Sequence, residues 1–273
     1  MQTFPDPRET RAASERETEL FSRLGQQITH AKATTAAFAK SLAGVDPASV
    51  TSRAALARLP VIRKSELLEA QQVSRAAGGD PFGGFAAIGF AGWGSPARRA
   101  AHVYASPGPI YGLEGMRPDY WRFARAMYAA GIRPGELVHN AFSYHFVPAG
   151  SMMESGAHAL GCTVFPGGTG QTEQQVQAIA ELRPQAYAGT PSFLKIIVEK
   201  AASMGIPLPS MRRALVSGEA FPPSLRDWLA ERGIHAYQCY ATADLGLIAY
   251  ETEAREGLVL DEGVIVEIVR PGT

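Results

Sequence analysis

The chain has 273 residues, 46% of them hydrophobic, enough to bury one large α/β domain or two smaller ones. Lys and Arg total 26, as do Asp and Glu, and a formal net charge of zero removes the usual basis for a nucleic-acid or acidic-membrane partner. Two cysteines, Cys162 and Cys239, argue against a disulfide framework, and the absence of a signal-peptide core at Met1–Asp6 or of a bilayer-length apolar run leads to the expectation of a soluble, cytoplasmic protein.

In chain order, residues 1–75 read as a helical N-terminal segment. Leu20, Phe21, Leu24 and Ile28 recur near the helical period within Glu17–Lys40. Pro60 breaks the chain, and Ser65 is the expected cap of a short helix through Glu66, Leu67 and Leu68. Seven glycines between Gly78 and Gly94 mark a connection with short strands. From 76 to 273 the pattern predicts an α/β core. Arg117–Ala130 is a predicted helix, with Tyr120, Phe123, Ala124 and Met127 on one face and Gly131 as its stop. Glu136–Phe142 reads as a strand, Ser151–Leu160 as a helix closed by Gly161, and Cys162–Phe165 as a strand. Thr172 is the expected cap of a helix over Glu173–Leu182, and Gln185–Ala188 is a strand. Thr190 caps a helix opening with Pro191, where the missing N–H costs nothing. Arg213–Val216 is a strand, Pro222-Pro223 opens a helix ending before Gly233, and His235–Cys239 is a strand that delivers Tyr240. This alternation predicts an α/β fold with a mostly parallel, doubly wound sheet covered by helices. Leu258–Val269 reads as a strand pair around Asp261-Glu262-Gly263, giving a β-rich C-terminal end.

Three loops follow strands: Gly189–Phe193, Ser217–Ala220 and Tyr240–Asp244. Ligands of α/β folds sit outside the carboxyl ends of parallel strands, so three such loops suggest one composite site.

On these residues the chain resembles the phenylacetate–coenzyme A ligase branch of the adenylate-forming enzymes. The likeness runs from Leu59-Pro60 to the end and is densest from Gly161 to Glu251. There Pro166-Gly167-Gly168-Thr169-Gly170-Gln171-Thr172-Glu173-Gln174-Gln175 precedes the three loops in matching order and spacing. The resemblance implies that ATP and magnesium activate a small-molecule carboxylic acid to an acyl-adenylate plus pyrophosphate. Coenzyme A then displaces AMP to give a thioester. It also implies a homodimer. Carried onto this sequence, the ring of Tyr240 would stack on adenine, with Ala241 beside it. Ser217, Gly218, Glu219 and Ala220 would border the base. Thr242 and Asp244 would be catalytic, the hydroxyl contacting the α-phosphate and the carboxylate helping to hold magnesium, a hard cation suited to oxygen ligands. Taken singly, Tyr240 also fits a core aromatic and Asp244 a turn cap; the three loops in register favour the site. The segment Phe142–Gly150 would line the acid's tail through Phe142, Tyr144, His145, Phe146 and Val147. Such a set suits a flat apolar acid of arylacetate or benzoate type, although core packing or a long acyl chain fits the same residues.

Two departures stand out. The segment matching the family's phosphate loop is Tyr104–Gly112, where Ser106 and Gly108 keep its character. Pro107 and Pro109 each remove a backbone donor, and the usual threonines and lysine are absent. The resemblance also implies a ribose-binding Asp, a hinge and a C-terminal domain with a catalytic Lys beyond the position of Thr273. These departures lead to the expectation of a truncated chain inactive as a ligase by itself. They keep two other readings open, a nucleotide- or coenzyme-A-binding module without catalysis and a relative that loads an acyl group onto a protein. His139, His145, His158 and Glu154 lack the spacing of a zinc site.

Overall fold

A computed structural model of the chain describes residues 6–93 and 99–270, so Met1–Pro5, Gly94 and Pro271–Thr273, each used in the sequence reading, lie outside the described residues. The chain divides into two compact units. One is Arg8–Met116 with the segment from Glu262 onward; the other is Arg117–Asp261 with Asp6 and Pro7.

The first unit begins with α1 (Ala13–Thr34) and α2 (Ala36–Ser41) in place of one continuous helix. Thr35 separates them in an extended conformation, with its N–H and hydroxyl both spent on the Ala31 carbonyl. Ile28, Leu42, Val50 and Ala55 form a small core, the last from α3 (Arg53–Leu56). In α4 (Lys64–Ala76) the capping place belongs to Arg63, not Ser65, because the Glu66 carboxylate reaches back to the Arg63 N–H at 2.9 Å. Strands β1 (Ala100–Ser106) and β2 (Ile110–Gly115) pair as an antiparallel hairpin. Gln71 of α4 ties this hairpin to the helices, donating to the Tyr111 carbonyl and accepting the Tyr111 N–H, both at 2.9 Å.

The second unit holds a seven-stranded sheet in the order β4-β3-β5-β6-β7-β8-β9. Its strands are β3 (Leu137–Asn140), β4 (Thr163–Pro166), β5 (Ala186–Gly189), β6 (Arg213–Val216), β7 (His235–Thr242), β8 (Gly246–Glu251) and β9 (Leu258–Leu260). The first four pairings, from β4 through β7, are parallel, and the last two, β7 with β8 and β8 with β9, are antiparallel. Side chains alternate between two cores. Val138, Ala186, Ala188, Leu215 and Cys239 pack toward α5 (Ala124–Ala129) and α6 (Ala149–Leu160). Tyr187, Ala214, Val216 and Ala236 pack toward α7 (Thr172–Leu182), α8 (Pro191–Ser203) and α9 (Pro223–Ala230). The fold is therefore a mostly parallel sheet with helices on both faces, as the alternation predicted.

Three local expectations change. The helix expected over Arg117–Ala130 shrinks to α5, because Asp119 and Arg122 both adopt positive φ. Asp119 instead accepts the Ala124 N–H at 3.2 Å, and Arg122 reaches away to Asp261 and to the Leu245 and Leu247 carbonyls. Gln171 in the left-handed region, not Thr172, precedes α7. The strand pair expected over Leu258–Val269 is reduced to β9. Beyond it, Arg11 and Arg16 take the Glu262 carboxylate, while Arg16 and Arg53 take the Val264 and Val266 carbonyls. Arginines there occupy acceptors that a strand ladder would need.

From β3 the chain crosses through α6 to β4 on one side, and from β5 through α8 to β6 on the other. The carboxyl ends of β3 and β5 therefore bracket a topological switch point, the place where open α/β sheets bind ligands.

Candidate functional site

Two of the three loops leave the sheet beside this switch point. Gly189 ends β5 because no other residue fits: an added Cβ would lie 2.1 Å from the Tyr187 hydroxyl. Thr190 then caps α8, its hydroxyl accepting the Phe193 N–H at 3.4 Å, with Pro191 at the first helical position. After β6, the Ser217 N–H donates to the Gly189 carbonyl at 3.2 Å, and its hydroxyl donates to the Cys239 carbonyl at 2.7 Å. One serine thus ties its loop to both neighbouring strands. Gly218 turns at φ +87°, and its open side faces Thr190 Cγ2 and Phe142 Cε1, 3.6 and 3.7 Å from where a Cβ would stand. Glu219 closes the group by accepting the Ser192 N–H at 2.6 Å, a charge-assisted bond at the start of α8. Ala220 is exposed beside it.

The third loop is built differently from a strand-to-helix turn. β7 continues past Cys239 to Thr242 and turns back into β8, so Tyr240–Asp244 sits at and around a hairpin tip, with a bulge at Tyr240 and Ala241. Tyr240 is 56% exposed, Ala241 and Thr242 are half-buried, and Asp244 is exposed. The Thr242 hydroxyl oxygen accepts the Leu245 N–H at 3.1 Å. Behind the hairpin, Arg226 of α9 holds Glu251 of β8 with two bonds, 2.7 and 2.9 Å, and lies over the Phe221 ring at 4.6 Å. Glu251 also accepts the Gln238 N–H at 3.1 Å, fixing β8 against β7.

The tail segment divides into buried and exposed parts. Phe142 is buried in the core that includes Met152 and Met153. Tyr144 and Val147 are half-buried, whereas His145 and Phe146 are exposed, Phe146 by 81%. Tyr144 donates to Glu154 of α6 at 2.7 Å and accepts from the Asn140 amide at 2.8 Å. Nearby, buried His139 stacks on Phe165 and bonds Gln175 at 2.7 Å, and Gln175 donates to the Gly168 and Gly170 carbonyls. This is what the Pro166–Gln175 stretch does locally: its glutamine pins its glycine turn. Burial holds the His139 imidazole below its usual pKa.

Ser106 and Gly108 belong to the other unit, at the β1–β2 turn. Ser106 is buried, with its hydroxyl on the Ile110 carbonyl at 3.4 Å. Gly108 has φ +154°. Within the sheet unit, then, the structure brings together Phe142, Thr190, Ser217, Gly218, Glu219 and the strand carrying Tyr240. Sequence reasoning missed the Glu219–Ser192, Arg226–Glu251 and Asn140–Tyr144–Glu154 links. Each joins residues from different elements, and only the shared helix of Gly150 and Glu154 leaves a local trace. Burial pushes the Cys162 thiol up to about 11 and the Cys239 thiol up to about 12, so both stay protonated and inert at neutral pH. Among the described residues no three His, Cys, Asp or Glu side chains gather to hold a metal ion, and no helix is long and apolar enough to cross a membrane.

The family described as AMP-binding enzyme matches residues 122–266. The phenylacetate–coenzyme A ligase of Aromatoleum evansii is 30% identical over 244 residues, covering 84% of this chain and 52% of the relative. That of Thermus thermophilus is 29% identical over 245 residues, covering 85% and 51%. An open conformation of 2-hydroxyisobutyryl-CoA ligase, solved in complex with 2-HIB-AMP and CoA, superposes with a TM-score of 0.81 at 26% identity, over 93% of this chain and 56% of that one. The chain thus spans about half the length of these relatives. Since the match takes in more than half of the chain, including all three loops at the carboxyl edge of the sheet, the chain belongs to the AMP-binding enzyme family.

Proposed function

We propose that this site serves the ATP-dependent activation of a carboxylic acid, first to acyl-AMP and then to acyl-coenzyme A, with a flat aromatic acid as substrate. The observation that carries the reading is the meeting of Gly218, Thr190 and Phe142 beside the strand that delivers Tyr240. A carboxylate is a poor electrophile; exchanging an oxide leaving group for AMP makes it a good one. The acid's oxygen attacks the α-phosphorus, pyrophosphate leaves, and the thiol of coenzyme A later displaces AMP. The first step brings two anions together and needs fixed dipoles and positive charge. The exposed ring of Tyr240 offers a stacking face for adenine, and the backbone of Gly218–Ala220 borders it. The Thr242 oxygen already accepts the Leu245 N–H, which leaves its proton to donate to a phosphate oxygen. Asp244 supplies one exposed, hard oxygen ligand at the hairpin tip, which fits a magnesium ion shared with ATP phosphates better than an all-protein cage. That ion would offset phosphate charge.

A second reading, nucleotide binding without adenylation, draws support from the β1–β2 turn. Pro107 and Pro109 lack N–H groups, and the Ser106 hydroxyl is turned to Ile110. ATP–pyrophosphate exchange in the intact protein, over a panel of arylacetates and benzoates, separates the two. Acid-dependent exchange supports activation, AMP binding with no exchange across the panel supports the second reading, and absence of nucleotide binding sinks both. Sedimentation of the same sample tests the implied homodimer.

A further inference from the structure

We propose that Ser217 is a positioning residue for the adenine platform: it acts on the nucleotide through Tyr240, whose backbone its hydroxyl holds in place. The proposal rests on the acid-activating function above, in which the Tyr240 ring stacks on the base.

The ladders of the sheet leave Tyr240 poorly fixed. The β6–β7 ladder ends with Val216 opposite Gln238, so Tyr240 lies beyond it. On the other side, the register of β7 against β8 slips between Tyr240 and Ala241. A bulge breaks the ladder locally and re-aims the side chain beside it. Tyr240 therefore stands past the end of one ladder and at the irregularity of the other.

Ser217 fills that gap. It is the first residue after β6 and only 9% exposed. Its N–H goes to the Gly189 carbonyl at 3.2 Å, toward β5, and its hydroxyl proton goes to the Cys239 carbonyl at 2.7 Å, toward β7. That carbonyl belongs to the planar peptide that joins Cys239 to Tyr240, so the bond orients the plane carrying the Tyr240 nitrogen. A hydroxyl has one proton, and this one is already committed. Cys239 is buried while Tyr240 is 56% exposed. The tie is thus anchored in the core, and its free end is the ring at the surface. Without the hydroxyl, the ring would be held near the base only by an irregular ladder, and ordering it on a ligand would weaken binding.

The test is a double-mutant cycle on AMP binding to the full chain, read by calorimetry. Tyr240→Ala should weaken AMP about tenfold, the scale of one base–aromatic stack. Ser217→Ala should weaken it about fivefold, the scale of one hydrogen bond. In the Tyr240→Ala background, Ser217→Ala should change affinity less than about twofold, since the group it positions is gone. Ser217→Cys, a weaker donor of similar size, should fall between serine and alanine, and it carries the cycle if the alanine variant does not fold. Equal losses in both backgrounds overturn the inference alone, because a serine that merely holds its loop together matters as much without the ring. So does AMP binding untouched by Ser217→Ala, and so does failure of both variants to fold. AMP binding that is indifferent to Tyr240→Ala, or absent from the unmodified chain, overturns the stacking reading and this inference with it.

Discussion

Asp119→Asn isolates one ionisation that the fold holds away from its ordinary range. Asp119 is buried, has φ +46° and accepts the Ala124 N–H ahead of α5. Burial raises its carboxyl from 3.8 to about 6, against the opposing pull of the Ala124 and Phe123 amides and of Arg122. A carboxyl with a raised folded-state pKa binds its proton more tightly when folded. Its contribution is therefore most favourable below pH 3.8, declines as pH rises toward about 6, and is fully unfavourable above that. At about 1.4 kcal/mol per pKa unit, the swing is about 3 kcal/mol. Asparagine tolerates positive φ and keeps an oxygen for the Ala124 amide, but it does not titrate. Urea unfolding of both proteins at half-unit intervals from pH 4 to 7 isolates the effect, because every other titration cancels in the difference. The variant should gain about 2.4 kcal/mol relative to the parent between pH 4 and pH 7, the rest of the swing lying below pH 4. A difference that stays flat with pH would show that Asp119 ionises in the ordinary carboxylate range despite its burial, and the reasoning would fail.

Glu251→Gln leaves Arg226 facing a neutral partner where both side chains are largely buried, and should cost about 3 kcal/mol in urea unfolding; an unchanged midpoint would dismiss the pair as a clamp on the β7–β8 hairpin. Gly189→Ala forces a methyl against the Tyr187 hydroxyl and should cost about 1–3 kcal/mol, with thermal unfolding as the check and full stability as the contrary result. Asp244→Ala in the intact protein should lower ATP–pyrophosphate exchange at least about tenfold while leaving stability within about 0.5 kcal/mol, since the residue is exposed. Robust exchange indifferent to that change would mean the metal ligand lies elsewhere.

What the sequence disclosed tracks how local each cause is. The start of α8 was legible because Thr190 and Pro191 are a self-contained signal, and β6 because the apolar run Ala214, Leu215 and Val216 ends at the break Ser217-Gly218. The false helix over Arg117–Ala130 has the right periodicity, but Arg122 finds its partners more than 120 residues away. Likewise, nothing local to Val264 and Val266 announces that Arg16 and Arg53 will claim their carbonyls. In the candidate site, the three loops were visible as strand ends. Their grouping was not, because it depends on strand order and on Glu219 bonding a residue 27 positions earlier. The fold class was therefore readable, while the reason Glu219 and Glu154 stand where they do was not.

The opposite crossings from β3 and β5 have a consequence for how such a protein can diversify. Residues 142–154 are braced by Asn140, Gly150 and Glu154, whereas the loops after β6 and β7 are braced by Ser192, Cys239 and Arg226. Substitutions can accumulate in the first set without loosening the second. On the proposed function, a lineage built this way trades one acid for another while the loops after β6 and β7 keep their bracing. Phe142, whose ring faces Gly218, is where that freedom meets its limit.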